Sequence, residues 1–333
     1  MSIKLGINGL GRIGKLVLRL TLAQNNIEVV HINDMMNTEL MAHLLKYDSI
    51  HGKLNASVTF DDNHIIINDK PIRVTNATQP TEIPWEETGT EFVVDSSGRF
   101  KTYSTLEGHL KHGVKKVVLS CPPDDYSIER VVVMGVNQNT ILPSDRIISN
   151  ASCTTNCVAI MLKVLLNEFG IENAFMNTIH PTTNNQNLQD GYHSDYRRAR
   201  SAINNIIPTT SSAVRSVHRI FPELKEKFKG FATRIPILDC PYVEVCAMLQ
   251  KEVTRNDIIA AFQKYSSDPQ MCNFLEFTQD PIVSSDITDN PHSAIFDALA
   301  TQILGNRFIQ ILGWYDNEYG YSSRTIDLIN YIA

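Results

Sequence analysis

Ile3-Lys4-Leu5-Gly6-Ile7-Asn8-Gly9-Leu10-Gly11-Arg12-Ile13-Gly14-Lys15-Leu16-Val17-Leu18-Arg19-Leu20 opens the chain and decides how its first half is read. Ile3, Leu5 and Ile7 alternate with other residues at the period of a strand, and Ile13, Leu16, Val17 and Leu20 then share one helical face. Between them lies G-x-G-x-x-G, a weak pattern alone and a stronger one between a strand and a helix. Gly9 permits the tight turn, Gly11 lets the backbone approach a pyrophosphate, and Gly14 lets helix and strand pack closely. The N-terminus of the helix then stabilises the phosphate charge. Lys15 and Arg19 are expected to sit away from the core-facing stripe.

The next strand, Ile27–Ile32, ends in Asn33-Asp34, twenty residues after Gly14. An acidic residue there accepts hydrogen bonds from adenosine ribose hydroxyls and repels a 2′-phosphate, which favours NAD over NADP. The plainer alternative is a glycine turn with a surface aspartate.

Further strands are expected at Phe92–Asp95, Lys116–Leu119, Val131–Val136 and Arg146–Ser149, with a hairpin at His64–Ile67 and Pro71–Val74 turning at Asn68-Asp69. Strands alternating with helix-length segments imply a parallel sheet covered on both faces. After Ser152 the pattern changes. A helix is expected from Ser152 to Gly170, then longer strands at Ala174–Ile179, Phe231–Leu238, Tyr242–Gln250 and Phe308–Trp314, with a helix around Arg255–Tyr265. The fold class expected is α/β: a Rossmann-type parallel-sheet domain over residues 1–150, then an α+β catalytic domain with a mixed or antiparallel sheet over 151–317. A terminal helix, about 318–333 with serine caps near Ser322, is expected to return to the first domain.

The 333 residues carry 30 Lys+Arg and 36 Asp+Glu, a net charge of −6, which gives no electrostatic footprint for nucleic acid or an anionic membrane. Charged residues at 20% and apolar residues at 43% fit a globular chain of about two domains. The six cysteines include no Cys-x-x-Cys pair, so neither a disulfide scaffold nor a zinc ribbon is supported and no metal is expected. The first residues carry no basic segment followed by a long apolar stretch, and no run of 18 apolar residues occurs. A soluble protein of a reducing compartment, the cytoplasm, is expected.

Ser149-Asn150-Ala151-Ser152-Cys153-Thr154-Thr155-Asn156-Cys157 lies where strand gives way to helix. A cysteine in the first helical turn faces unsatisfied N–H groups and the positive end of the macrodipole, which favour thiolate over thiol. Such sites lower a thiol from roughly 8.5 to roughly 3.5–7.5. A packed core thiol is the other reading of Cys153; Cys157, one turn deeper, reads as buried. His180 closes an apolar run and opens the polar loop Pro181-Thr182-Thr183-Asn184-Asn185, a setting for a base.

Taken together the segments resemble the phosphorylating glyceraldehyde-3-phosphate dehydrogenase family, with features of its erythrose-4-phosphate branch. The motifs are Gly6–Gly14, Leu45-Lys46-Tyr47-Asp48-Ser49-Ile50-His51-Gly52, Ser149–Cys157, Asn205-Ile206-Ile207-Pro208 and Trp314-Tyr315-Asp316-Asn317-Glu318-Tyr319-Gly320-Tyr321-Ser322, spread over the whole chain. The resemblance implies a homotetramer that oxidises a sugar-phosphate aldehyde with NAD and inorganic phosphate through a thioester. By it, Cys153 is the nucleophile and His180 the base. Arg12 and Ile13 offer N–H groups to the pyrophosphate, Asp34 takes the ribose, and Ser97, Gly98 and Ser120 lie near the cofactor. Asn317 orients the nicotinamide amide. Arg234 and Thr183 hold the substrate phosphate, and Ser152 and Thr154 surround the attacking site.

Departures from the family pattern are also present. Ser211-Ser212 replaces a Thr-Gly that binds the attacking phosphate, and Ser212 lacks glycine's backbone freedom. Thr78 stands in place of an arginine near the adenine. Tyr192–Arg200 leans toward the erythrose branch, whereas Thr183 and Asp316–Ser322 lean toward the triose. Arg197, Arg198 and Arg200 read either as salt-bridging residues or as the mouth of a phosphate pocket. Rival readings are erythrose-4-phosphate oxidation, an NAD-binding interaction protein, and a semialdehyde dehydrogenase.

Overall fold

The computed structural model describes residues 2–128 and 130–333. The chain folds as two compact units, one made of residues 1–132, 138–151 and 322–333, the other of 133–137 and 152–321.

In the first unit β1 (Ile3–Asn8), α1 (Arg12–Thr21), β2 (Ile27–Asn33) and α2 (Thr38–Lys46) precede the short strands β3 (Val58–Phe60), β4 (His64–Ile67) and β5 (Lys70–Thr75). Then come β6 (Phe92–Asp95), α3 (Tyr103–Leu106), β7 (Lys116–Leu119), β8 (Arg130–Val131) and β9 (Ile147–Ser149). The sheet order is β3-β4-β5-β2-β1-β6-β7-β9-β8, parallel except for the β3–β4 and β4–β5 pairs. The order reverses between β1 and β6, so a crevice for a ligand opens at the carboxyl ends of these strands. The β4–β5 turn lies at Asn68-Asp69, both left-handed (φ 48° and 66°), as two-residue hairpins require.

The glycines of the opening segment are fixed by contact. Gly9 is left-handed (φ 93°), and a Cβ there would lie 2.5 Å from the Ser97 nitrogen. A Cβ on Gly14 would lie 2.1 Å from the Gly9 carbonyl oxygen. Gly11, by contrast, faces open space and precedes α1 with ordinary angles. α1 buries Leu16, Val17 and Leu18, whereas Ile13 and Leu20 stay half-buried.

Two expectations for this region are corrected. Lys15 is buried, 3.6 Å from the Asp48 carboxylate, and Arg19 donates to the Leu45 and Gly52 carbonyls. The strand expected at Val131–Val136 stops at Val131. Gly135 there is left-handed (φ 85°), the Val133 N–H donates to Asn137 Oδ1, and residues 133–137 belong to the second unit.

The second unit runs α4 (Cys153–Glu168), β10 (Ile171–Pro181), β11 (Ile207–Thr209), α5 (Ala213–Ile220), β12 (Phe228–Ile235), β13 (Tyr242–Leu249), α6 (Arg255–Ser266), β14 (Leu275–Thr278), β15 (Ala294–Asp297), β16 (Gln302–Leu304) and β17 (Phe308–Trp314). α7 (Tyr319–Ile332) follows, its residues from Ser322 onward belonging to the first unit. α7 begins before Ser322, because Asp316 Oδ1 accepts from the Glu318 and Tyr319 N–H groups and caps its start. The sheet order is β11-β12-β10-β13-β17-β15-β14, with β16 on β17, and its pairing is mixed. α4 is buried nearly all round, the mark of a central helix. It lies in a core where Phe262 stacks on Phe296 at 3.9 Å. Each unit holds one of the two tryptophans, Trp85 fully buried in the first and Trp314 half-buried in the second. No helix among the described residues is long and apolar enough to cross a membrane.

Gly14→Ala is expected to cost about 3 kcal/mol, because the added methyl meets a backbone oxygen that cannot yield. Gly11→Ala is expected to cost less than about 1 kcal/mol. Urea denaturation of the two variants, followed by circular dichroism, measures the difference.

Candidate active site

In the first unit the ends of β1, β2 and β6 gather the residues singled out from the sequence. Asp34 Oδ2 accepts from the Leu10 N–H at 2.6 Å and Oδ1 from the Met36 N–H, so the carboxylate sits against the glycine turn. Ser96 Oγ donates to the Gly9 carbonyl at 2.6 Å. Asp95, fully buried, accepts from the N–H and Oγ of Ser97 on one oxygen, and from Asn8 Nδ2 and His109 Nε2 on the other. The Trp85 indole N–H donates to His109 Nδ1, which leaves the proton of that ring on Nε2, facing Asp95. Gly98 is left-handed (φ 67°) and opens on free space, and the Ser120 N–H donates to the Asp95 carbonyl. Gly9, Gly14, Asp34, Ser97, Gly98 and Ser120 thus surround one end of the sheet.

The side chain of Arg12 does something the sequence did not announce. It binds Asp48 through two nitrogens at 2.5 and 3.1 Å. Burial alone would raise Asp48, but Arg12 and the Ile50 and His51 N–H groups hold it well below the usual carboxylate range. This ties the start of α1 to the segment after α2. Asp48 lies within the Leu45–Gly52 motif, which was the signal available for it.

In the second unit Ser152 caps α4, its Oγ accepting from the Thr155 N–H at 3.0 Å. Cys153 is therefore the first helical residue. Its Sγ lies 3.5 Å from His180 Nε2. Parallel pairing of β10 with β12 places His180 opposite Arg234, whose Nη1 lies 2.5 Å from His180 Nδ1 and 3.0 Å from the Pro181 carbonyl oxygen. Tyr315, which the sequence offered only as part of a motif, is buried with its hydroxyl 2.8 Å from Thr154 Oγ1 and 3.0 Å from Thr178 Oγ1. The Thr154 hydroxyl is thus bound to Tyr315. Cys157 is fully buried, its sulfur against the Gly313 carbonyl.

The electrostatics differ from the expectation of a thiolate. Burial pushes the Cys153 thiol up to about 11, although Arg234 and the N–H and hydroxyl of Thr154 pull the other way. Burial lowers His180 to about 3, Arg234 adds to that, and the Pro181 carbonyl opposes it. Desolvation opposes the helix terminus here and favours the neutral form of both groups. Arg234 itself is held below the ordinary guanidinium range by burial, with Cys153 and Tyr315 opposing and Arg198 adding a small further push.

The remaining residues fall as follows. The Thr183 N–H donates to Gln186 Oε1, and Ser211 and Ser212 precede α5. Ser212 has φ −67°, a right-handed conformation open to any residue, so the loss of glycine there carries no backbone strain. Arg197 donates to the Pro208 carbonyl, Arg198 to Thr209 Oγ1, and Arg200 pairs with Asp190, all within the unit. Asn317 is buried, and its Oδ1 has no hydrogen-bond partner among the described residues.

Residues 3–103 match a family model described as the glyceraldehyde 3-phosphate dehydrogenase NAD binding domain, and residues 152–317 match the C-terminal domain of the same family. The chain is 45% identical over 335 residues to a glyceraldehyde-3-phosphate dehydrogenase of Streptomyces coelicolor, covering 100% of this chain and 99% of that protein. It is 43% identical over 334 residues to those of Priestia megaterium and Geobacillus stearothermophilus, with the same coverage.

Because His180 titrates near 6.5 when unfolded and near 3 when folded, stability is expected to fall as pH drops from 6.5 toward 3, at about 1.4 kcal/mol per pH unit per such group. His31, lowered by burial to about 4, adds a loss of the same sign. Urea midpoints between pH 7 and 5 are expected to fall less steeply for His180→Gln than for the natural sequence.

Proposed function

The chain belongs to the glyceraldehyde-3-phosphate dehydrogenase family, and from that premise we propose that it oxidises glyceraldehyde 3-phosphate with NAD and transfers the acyl group to inorganic phosphate through a thioester on Cys153. The observation that carries this reading is the Cys153 sulfur at a helix N-terminus, 3.5 Å from an imidazole nitrogen.

The residues fit the cofactor. Gly9, Gly11, Arg12, Ile13 and Gly14 form a turn into which no Cβ fits at two positions, a close-packed backbone at the N-terminus of α1 suited to a pyrophosphate. Asp34 offers a carboxylate for ribose hydroxyls, with Ser97, Gly98 and Ser120 at the same end of the sheet. Asn317 offers a buried acceptor with no partner among the described residues, suited to the N–H of a nicotinamide amide. In this reading residues 1–150 with the terminal helix carry the cofactor, and 151–317 carry the substrate.

When bound, NAD accepts a hydride. Cys153 Sγ adds to the aldehyde carbon, forming a C–S bond, and the thiol proton ends on the former carbonyl oxygen. His180 Nε2 then takes that proton as the thioester forms. An oxygen of phosphate adds to the thioester carbon, the C–S bond breaks, and the sulfur regains a proton. Thr183 and Arg234 anchor the phosphate of the substrate, and Arg234 can do so with two parallel charge-assisted bonds. Ser211 and Ser212, at the entry to α5, with Ser152 and Thr154 beside the sulfur, serve the attacking phosphate.

Self-association as a homotetramer belongs to this reading, and exposed apolar surface supports it. Phe175 and Phe231 meet edge-to-face at 5.8 Å on exposed positions of β10 and β12, and Tyr192 and Tyr196 are 97% and 89% exposed. All six cysteines are free thiols, which suits the reducing cytoplasm.

NADH formation from glyceraldehyde 3-phosphate is expected to require phosphate and to exceed that from erythrose 4-phosphate; faster turnover of the four-carbon sugar would reassign the substrate. Cys153→Ser is expected to lower kcat by about 10³-fold or more. Sedimentation velocity is expected to show a tetramer, and Phe231→Glu to shift it toward smaller species.

A further inference from the structure

We infer that Asp95 is the positioning residue for the cofactor end of the first unit. The buried carboxylate gathers a one-way chain of hydrogen bonds that sets Gly9, Asp34 and Ser97 at fixed places relative to one another. This role rests on the placement of NAD proposed above and extends it to Asn8, Asn33, His109 and Trp85, none of which that placement itself uses.

Four neighbouring strands of the sheet end in polar residues: β5 in Thr75, β2 in Asn33, β1 in Asn8 and β6 in Asp95. Asn8, Asn33 and Asp95 are buried. Backbone groups fix which way the two amides point. The Ala77 N–H donates to Asn33 Oδ1 at 2.8 Å, and Asn33 Nδ2 donates to the Ala77 carbonyl at 3.0 Å. A peptide N–H and a peptide carbonyl cannot exchange roles, so Asn33 has one orientation. Its second N–H reaches Asn8 Oδ1 at 2.9 Å, which leaves Asn8 Nδ2 to donate to Asp95 Oδ2 at 2.8 Å. Asn33 Oδ1 can only accept. The Thr75 hydroxyl therefore donates to it at 2.9 Å and receives from His31 Nε2 at 3.0 Å.

An indole fixes the other branch. Trp85 Nε1–H can only donate, and it lies 3.1 Å from His109 Nδ1, which has no other hydrogen-bond partner among the described residues. Nδ1 therefore presents a lone pair, and Nε2–H donates to Asp95 Oδ2 at 3.1 Å. Asp95 Oδ1 accepts from the Ser97 N–H at 3.1 Å and lies 2.7 Å from the Ser97 hydroxyl. Each bond of fixed sense between these side chains runs toward Asp95, and each polarises the next.

The residues assigned to the cofactor stand directly beyond the members of this chain. Gly9 follows Asn8, and its N–H donates to the Asn33 carbonyl at 2.8 Å. Asp34 follows Asn33, and its N–H donates to the Thr75 carbonyl at 3.1 Å. Ser97 hangs on Asp95 itself, and left-handed Gly98 (φ 67°) comes next. An amide in place of the carboxylate turns its own N–H groups toward fixed donors whichever way it is set. Asp95→Asn, nearly the same size, therefore lets go of either the Ser97 N–H or the pair formed by Asn8 and His109.

Calorimetric titration of the full-length protein with NAD tests this role. Asp95→Asn is expected to raise the dissociation constant about tenfold, as the loss of one hydrogen bond to a charged group implies. The number of sites per chain is expected to stay unchanged. A carboxylate needed only for folding would do the opposite, lowering the number of sites and leaving the constant of the remaining chains as it was. An unchanged constant overturns the inference. Should Asp95→Asn not fold, two substitutions at His109 decide. His109→Leu removes the donor to Asp95 and is expected to weaken NAD about fivefold, whereas His109→Gln keeps a donor N–H near Nε2 and is expected to stay within about twofold of the natural sequence. Equal binding by these two variants overturns the inference. Nitrogen-15 spectra of the histidine-labelled natural protein, assigned through His109→Gln, are expected to show the His109 proton on Nε2; a proton on Nδ1 overturns the inference as well. Asp34→Ala tests the placement separately. If it leaves NAD binding unchanged, the placement fails and the positioning role with it. Weaker binding by Asp34→Ala beside natural affinity in Asp95→Asn defeats the positioning role alone.

Discussion

The pairing of β10 with β12 is the constraint on which the reactive residues depend. Eight consecutive pairs, from Ala174–Phe228 to Pro181–Ile235, fix the register that sets His180 beside Arg234. On its other edge β10 is held antiparallel to β13, so the strand is pinned on both sides. A slip of one residue would turn His180 to the opposite face and carry it away from the sulfur at the start of α4. The nucleophile needs its own anchor. Ser152 supplies one by capping α4, and Ala151 before it adopts a left-handed conformation (φ 55°), unusual for a residue with a Cβ. That cost is met by burial, since Ala151 is fully enclosed and its N–H donates to Ser149 Oγ.

Burial is answered differently in the two units. Around Cys153 and His180 few polar partners offset the loss of water, so burial disfavours the charged form of both groups. In that low-dielectric setting a single guanidinium acts strongly on its neighbours. In the first unit a buried carboxylate is fully supplied instead. Asp95 receives hydrogen bonds from Asn8, His109 and Ser97, and the chain continues through His109 to Trp85 and from Asn8 to Asn33. Satisfied networks of this kind rigidify the backbone around them, here at the strand ends that carry Ser97 and the glycine turn.

The first unit was largely legible in its sequence, because its signals are local. Alternation marks β1, glycines mark the turn, and Gly14 is explained by the carbonyl of Gly9 five residues before it, whereas the contact that fixes Gly9 comes from the distant Ser97. What escaped depended on distant residues. Lys15 looked exposed by periodicity alone, but a carboxylate thirty-three positions later draws it in. Val131–Val136 reads as a strand until Gly135 turns the chain. In the second unit the long apolar runs were readable, whereas β11 and α5 were hidden in segments rich in Thr, Ser and Arg whose burial is decided by tertiary contact. Cys153 and His180 were legible as residue types in a setting. Their charge states were not, because a helix-terminus field can be read from position but the competing desolvation cannot. The hydrogen bond between Arg234 and His180 was equally invisible: it requires the strand register.

The two tryptophans have a practical consequence. Trp85 is sealed in the first unit with its indole N–H on His109, and Trp314 lies in the second with its indole N–H on Asp297 Oδ2. Each unit thus carries its own intrinsic fluorophore in a distinct polar setting. Replacing either one by phenylalanine would leave an emission signal belonging to a single unit, so that denaturation of one could be timed against the other without any external label.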